Sequence, residues 1–287
     1  MSKTGMARKK EDGKKFGKKK KGRTVKIRNK IHKILFKISP VYRMFNRIQG
    51  KSDDIMRILL SSPPCYDGDE KFLHDDVPMM KINGIEYLAE IGNKKGMRVL
   101  EIGSRVVTGA NYRNLFSEAE YVGFDYYHGE NVDVAGDAHK LSTYFDKNEK
   151  FDIIFSAAVF EHFAMPWLVA GEMAKVLKPG GYVYVGTTFT FSSHDRPWHF
   201  FQFSDMALRV LFSPALGFEC IEAGLSDPIV GRFSSLANEK ERNRPVTGLY
   251  FGSHYLGKKI RDVDDFSWDR TGMDQVVGET EYPKLKK

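Results

Sequence analysis

Cysteine is nearly absent from this chain: Cys65 and Cys220 are the two in 287 residues. Their separation offers neither a disulfide framework nor a CxxC zinc site, and a reducing cytoplasm is the expected compartment. Long apolar runs are also missing. None approaches the roughly 18–20 residues of a membrane span, and the N-terminus carries charge without the continuous apolar stretch of a signal peptide. Aromatic residues are scarce where a nucleic-acid arm would need them. Phe16 stands alone among residues 1–24, so base stacking has little support there.

What the chain has in quantity is charge, distributed unevenly. Residues 1–37 hold 16 Lys and Arg against Glu11 and Asp12, a balance of +14, so the other 250 residues carry −6 of the formal +8. The expectation is a mildly acidic globule with a strongly basic arm, and such an arm suits an anionic partner: a phospholipid surface or a nucleic acid. Residues 1–24, rich in Lys and Gly, cannot bury enough apolar surface to fold and read as a disordered tail. From Val25 the pattern changes. Ile27, Ile31, Ile34, Leu35 and Ile38 fall at helical spacing, with Lys26, Arg28, Lys30, Lys33 and Lys37 between them, and Ser39-Pro40 ends the run. A second helical stretch follows through Val41, Phe45, Ile48, Ile55, Ile58 and Leu59. Residues 25–80 thus form a helical extension, with a loop from residue 61. It either packs on the main domain or, with the arm as residues 1–38, lies on an anionic membrane surface. The second reading places the protein peripherally at the inner membrane face; nucleic acid is the weaker partner.

Composition, 41% hydrophobic, allows one large domain with a full core. That domain reads as residues 81–262, with 263–287 as a C-terminal tail and no internal repeat. A helix begins near Ile82 and runs to Ile91, and strands then alternate with helices. Strands are expected at 97–102, 120–125, 131–134, 151–156, 182–190, 217–223 and 249–260. Helices are expected at 110–117, 137–146, 164–177 and 204–212. Lys178-Pro179-Gly180-Gly181 stops the helix before it. Alternation of this kind, with near-continuous apolar strands such as Phe151-Asp152-Ile153-Ile154-Phe155-Ser156, argues a parallel α/β sheet.

Ligands of open α/β sheets sit at the carboxyl ends of the strands. The first strand ends in Glu101, Gly103 and Ser104, the second in Asp125, 22 residues beyond Gly103. Gly136-Asp137-Ala138 follow the third; Ser156 and then Phe160-Glu161-His162 follow the fourth; Thr187, Thr188, Ser192, His194 and His199 follow the fifth. An acid at the position of Asp125 suits the hydroxyls of an adenosine ribose. The G-x-G-x-x-G turn is absent, however, and Glu101 would repel a phosphate and favour a cation. S-adenosylmethionine, with an adenosine, an ammonium and a sulfonium but no phosphate, fits better. Asp137 could accept from its adenine amino group while the Ala138 N–H bonds a ring nitrogen; Asp137 is equally placed to cap a helix.

The ordered series VLEIGS, YVGFD, VAGDAHKL, FDIIFSAAVFEHF, VLKPGGYVYV resembles the class I S-adenosylmethionine-dependent methyltransferases over roughly residues 80–260. The loop HDRPWHFFQFSDMALRVLF is similar to that of small enzymes acting on surface glycans and secondary metabolites. The resemblance implies a Rossmann-like, doubly wound seven-strand sheet, mostly parallel with an antiparallel last strand and helices on both faces. It implies cofactor contacts from Glu101, Gly103, Ser104, Asp125, Asp137 and Ala138, with Ser156 and Ala157 over the methionine end and Glu161-His162 opening the acceptor side. The departure from the family pattern is Arg105, where a second glycine would stand. The expected activity is methyl transfer to a hydroxyl of a small-molecule or glycan acceptor, with His162, then His194 or His199, as general base. The aromatics around His194 and His199 either pack the loop on the sheet or wall the acceptor. His194 and His199 have no third ligand at motif spacing, so no metal site is expected. The alternatives are an RNA methyltransferase using the arm and a non-catalytic, membrane-associated module on the same fold. Nothing in the sequence indicates an oligomeric state.

Overall fold

β-branched and aromatic residues alternating along short segments build the sheet, and their alternation loads both of its faces. The computed structural model describes residues 77–278. The basic arm, the two N-terminal helical stretches, Cys65 and residues 279–287 lie outside the described residues. Seven strands, β1 (Arg98–Ile102), β2 (Glu120–Asp125), β3 (Val134–Ala135), β4 (Phe151–Ala157), β5 (Leu177–Thr188), β6 (Phe218–Arg232) and β7 (Pro245–Lys259), form one sheet in the order β3-β2-β1-β4-β5-β7-β6. The pairs β1/β2, β1/β4, β2/β3 and β4/β5 are parallel, and β7 runs antiparallel to both β5 and β6. The chain order therefore reverses direction across the sheet between β1 and β4, where open α/β sheets hold their ligands.

Successive residues of β4 point to opposite faces. Ile153 and Phe155 join Val99, Tyr121, Tyr184 and Leu256 under helix α1 (Gly84–Gly92). Ile154 joins Leu100, Phe124, Val183 and Val185 under helices α2 (Pro166–Val176) and α3 (Asp205–Leu211). Each large side chain removed from water in these layers contributes about 1.5–3 kcal/mol. Helix α2 ends where Leu177 enters β5, and its last carbonyls are met by a buried cation. Lys259 Nζ donates to Ala174 O and Leu177 O and pairs with Asp262, which suits the negative end of a helix dipole. Among the described residues no helix is long and apolar enough to cross a membrane.

Several expected elements differ. Residues 110–117 give only a 3₁₀ turn, Arg113–Phe116, because Asn111 Oδ1 takes the Arg113 N–H in a local turn that competes with helical bonds. Residues 138–144 form 3₁₀ turns broken at Lys140 rather than an α-helix. β5 begins at Leu177, which pairs with Phe151 before a bulge carries the ladder on from Tyr182 to Ile153; the Lys-Pro-Gly-Gly stretch is that bulge, with Gly180 in the left-handed region at φ +87°. β6 and β7 extend to a 15-residue hairpin arm each, reaching beyond Thr188, the last β5 residue paired with β7. The described part of the C-terminal segment packs on the domain: Trp268 Nε1 donates to Trp167 O at 3.1 Å, and a short helix α4 spans Met273–Val277.

Candidate active site

Gly103 opens the site. Its φ of +85° is one that only glycine adopts without strain, and a Cβ there would stand 2.1 Å from Val159 Cγ2. The turn is held to β2, with the Gly103 and Ser104 N–H groups both donating to Phe124 O. Two residues earlier, Glu101 is 4% exposed. Burial raises its pKa from 4.5 to about 7, against the lowering effect of the Asn131 side chain and the Arg113 charge. Asn131 Nδ2 reaches Glu101 Oε2 at 3.4 Å, Ser104 O at 2.9 Å and Tyr121 Oη at 3.3 Å, while Arg113 Nε donates to Asn131 Oδ1 at 2.6 Å. Arg113 is fixed in turn by Asp133 at 2.5 Å. No sequence pattern marks Asn131 or Arg113. Asn131 sits at φ +69°, a conformation asparagine tolerates better than most residues.

Asp125 closes β2 beside this turn and is already engaged. The Arg105 backbone N–H reaches its Oδ2 and the Arg105 side-chain Nε its Oδ1, both at 3.3 Å, and the Tyr127 N–H reaches Oδ1 at 3.1 Å. Arg105 thus places a cation on the acid that the sequence assigns to ribose. Asp137 caps the turn at 138–144 by accepting the His139 N–H at 3.0 Å, and its Oδ1 also holds His139 Nδ1 at 2.7 Å. Burial acts to raise its pKa, but the bonds and charge of His139 outweigh this and hold it below the usual carboxylate range. Ala138 is buried beside it. On β4, Ser156 is fully buried, and its hydroxyl, like that of Ser104, has no hydrogen-bond partner. Ala157 follows, then Ala158 in the left-handed region at φ +56°, which turns the chain toward Val159 and the Glu161 turn.

These residues fit S-adenosylmethionine at one end and are contested at the other. Near Gly103 the site offers a left-handed turn with no Cβ and, among the described residues, a buried carboxyl without a Lys or Arg ion pair and two buried hydroxyls lacking partners, a donor and acceptor set for an amino-acid ammonium and carboxylate. At the ribose position Asp125 is present, and Arg105 must share or yield it.

The histidines gather on the next two strand ends. His162 Nδ1 lies 2.7 Å from Trp198 O and His194 Nδ1 3.0 Å from Ser192 O; a carbonyl can only accept, so both rings carry their proton on Nδ1 and keep a lone pair on Nε2. His199 is the opposite tautomer. Its Nδ1 accepts the His194 N–H at 3.2 Å, and its buried Nε2 has no partner. Ring centroids lie 4.9 Å apart for His162–His194, 5.8 Å for His162–His199 and 4.4 Å for His194–His199. Glu161, 1% exposed, is the anchor. Its carboxylate accepts the Thr187 hydroxyl at 2.6 Å, and its carbonyl accepts the Phe200 and Phe201 N–H groups. The loop from Phe189 to Phe203 is thereby tied over β4 and β5. Glu161, His162 and His194 bring one ligand atom each within 4.8 Å of the others; His199 is not one of the three. The concave space elsewhere lies at the opposite edge of the sheet. A groove of about 610 Å³ between α2 and residues 262–268 is lined by His139, Glu172, Lys175, Lys259, Asp262 and Trp268, and its acids are largely taken up by Lys175, Lys150 and Lys259.

Residues 98–185 match the family of the methyltransferase domain. Solved structures similar to the chain include the YcgJ protein of Bacillus subtilis, at 18% identity, covering 62% of this chain and 98% of that one with a TM-score of 0.44. A SAM-dependent methyltransferase of Archaeoglobus fulgidus has 18% identity over 61% and 92%, with a TM-score of 0.43. The 1,6-didemethyltoxoflavin-N1-methyltransferase of Burkholderia thailandensis, solved with S-adenosylhomocysteine, has 12% identity over 62% and 79%, with a TM-score of 0.41. No curated protein matches.

Proposed function

We propose, from the site's residues and the match of residues 98–185 to the methyltransferase domain, that this chain is an S-adenosylmethionine-dependent methyltransferase that methylates a hydroxyl of a small-molecule or glycan acceptor. S-adenosylmethionine is its cofactor and supplies, when bound, a methyl group on a positively charged sulfur. Methyl transfer needs the attacking oxygen aligned with that carbon, and alignment is worth several kcal/mol of barrier. Glu101, Gly103 and Ser104 hold the cationic amino-acid end. Asp125 takes the ribose, and Asp137 with Ala138 faces the adenine. The observation that carries the hydroxyl reading is the ring of His162. Its Nδ1–H is fixed on Trp198 O, leaving Nε2 as a base of set orientation at the mouth of the site. Imidazoles as a class titrate near neutrality, which suits removal of a hydroxyl proton. His194 has the same tautomer and is the second base; His199, whose Nδ1 accepts the His194 N–H, positions it. Trp198 and Phe200, both exposed, wall the acceptor side.

A panel of hydroxylated acceptors, read by S-adenosylhomocysteine formation, tests this. His162→Ala should lower the rate by about 10²–10⁴-fold while cofactor affinity stays unchanged. A hydroxyl acceptor methylated equally fast by the variant would refute the base.

Residues 1–38 we assign to an anionic membrane surface, which fits an acceptor presented at the inner membrane face. Anionic liposomes should pellet the full chain and not a chain starting near Ser61; equal pelleting would remove the assignment. A non-catalytic module remains the second reading because Arg105 occupies Asp125. It predicts no cofactor binding even when Arg105 is replaced.

A further inference from the structure

We propose that Glu161, His162 and His194 form a site for a divalent transition metal, with open positions toward His199 and the aromatic loop. Three observations converge. The first is distance. Three atoms no more than 4.8 Å apart lie within about 2.8 Å of a common centre, and metal–ligand bonds to imidazole and carboxylate are about 2.0–2.2 Å long. Side-chain adjustments below about 1 Å close that gap. The second is the outer shell. Ligating histidines usually donate their other ring N–H to a carbonyl or carboxylate, and ligating carboxylates are themselves hydrogen-bonded. Here His162 donates to Trp198 O, His194 to Ser192 O, and Thr187 donates to Glu161 Oε2. All three candidates thus have the supporting partner such a site requires, and in both rings the nitrogen with a lone pair is the one left to give. The third is charge. Glu161 is 1% exposed, and no Lys or Arg among the described residues forms an ion pair with it. A carboxylate buried without a cation is costly, and a metal ion would supply the missing charge.

Two imidazoles and one carboxylate with open positions are the donor set of catalytic zinc and of non-haem iron(II). Resting on the methyl-transfer reading, the open positions would take the acceptor's hydroxyl oxygen. A metal lowers the pKa of an oxygen bound to it, so the hydroxyl would lose its proton to solvent. The oxygen's electron pair then forms the new bond to the methyl carbon, as the carbon–sulfur bond breaks and its pair returns to sulfur. His162 would act as base in the metal-free enzyme and as ligand in the loaded one, so His162→Ala loses rate in either state and the Co²⁺ titration tells the two apart.

The test uses the full-length, untagged protein, stripped with a chelator and titrated with Co²⁺ followed by its visible absorption. Elemental analysis after gel filtration gives the zinc content in parallel. About one equivalent of Co²⁺ should bind and be displaced by Zn²⁺. His162→Ala and His194→Ala should each weaken binding at least tenfold, and Thr187→Val by about 10–100-fold, with circular dichroism confirming that each variant is folded. Sub-stoichiometric Co²⁺, or affinity unchanged in the folded double variant His162→Ala/His194→Ala, would overturn the proposal. Calorimetry with S-adenosylmethionine on the metal-free protein separates the two readings. Cofactor binding without stoichiometric metal removes the metal site and keeps methyl transfer; stoichiometric metal without cofactor binding does the reverse.

Discussion

Between Glu101 and Ala138 every candidate cofactor residue stands at a strand end or in the turn after it, whereas His162, His194 and His199 meet only because a loop folds back over β4 and β5. The first half is written locally. β1 and β2 are paired in register from Arg98↔Glu120 to Ile102↔Phe124, so fixing two strands fixes Gly103 and Asp125 together. The second half depends on long-range bonds, the Phe200 and Phe201 N–H groups on Glu161 O and the Phe203 N–H on Thr188 O. Affinity for the cofactor should therefore reside in the first half and chemistry in the second, and variants in one half should leave the other intact.

The largest effect is expected at Gly103. Gly103→Ala adds left-handed strain and a methyl in contact with Val159, together about 2–4 kcal/mol of lost stability by denaturant titration. Gly96→Ala is the control. It shares a positive φ, +88°, but its Cβ would meet open space, so it should cost only about 1 kcal/mol. Equal losses would mean that the Val159 contact is relieved by movement of the turn.

Asp125→Ala should weaken S-adenosylmethionine by at least about tenfold in calorimetry through lost ribose bonds, with Co²⁺ binding at the histidines unaltered. An unchanged cofactor affinity would sink the ribose assignment.

Glu101 gives a smaller, pH-dependent effect. A carboxyl raised to about 7 in the folded protein contributes its full stability below the ordinary value near 4.5 and loses it as pH rises through 7. A bound cation reverses the preference by stabilising the ionised form. Cofactor affinity should thus increase severalfold between about pH 6 and about pH 7.5, with proton release, and Glu101→Gln should flatten that rise. A slope that persists in Glu101→Gln would assign it to another group.

The smallest effect is at Arg105. Its pair with Asp125 is partly exposed, 38% on the arginine side, and pairs of that kind are worth about 0–1 kcal/mol. Arg105→Ala should free the acid and tighten cofactor binding by up to about fivefold. Weaker binding in the variant would show instead that the guanidinium contacts the cofactor.

Much of the cofactor half could be read from residues in order. Glu101, Gly103 and Asp125 fall on strand ends that apolar runs mark out, and the carboxyl edge of the sheet collects them. Arg105 was visible as the residue replacing a glycine, but its engagement with Asp125 was not, because side-chain reach across a turn leaves no periodic trace. Asn131 and Arg113 leave no trace in the sequence for the same reason: each donates across to another segment from a position of no motif. On the acceptor side Glu161, His162, His194 and His199 are each legible after a strand, but their meeting is not, because it depends on the loop that folds back over β4 and β5. The helix expected at 110–117 shrank to one 3₁₀ turn because its apolar spacing is short and local side-chain bonds compete with helical ones.

The sequence by itself determined the α/β alternation, the uneven charge of the chain and the series of acids at strand ends, since these follow from side-chain periodicity and composition along a local stretch. Only the tertiary structure decided that Arg105 answers Asp125, that burial lifts Glu101 to about 7, and that three histidines and Glu161 share one place. Those outcomes depend on desolvation and on contacts between residues dozens of positions apart, which exist only once the sheet has ordered its strands and the loop after β5 has closed over them.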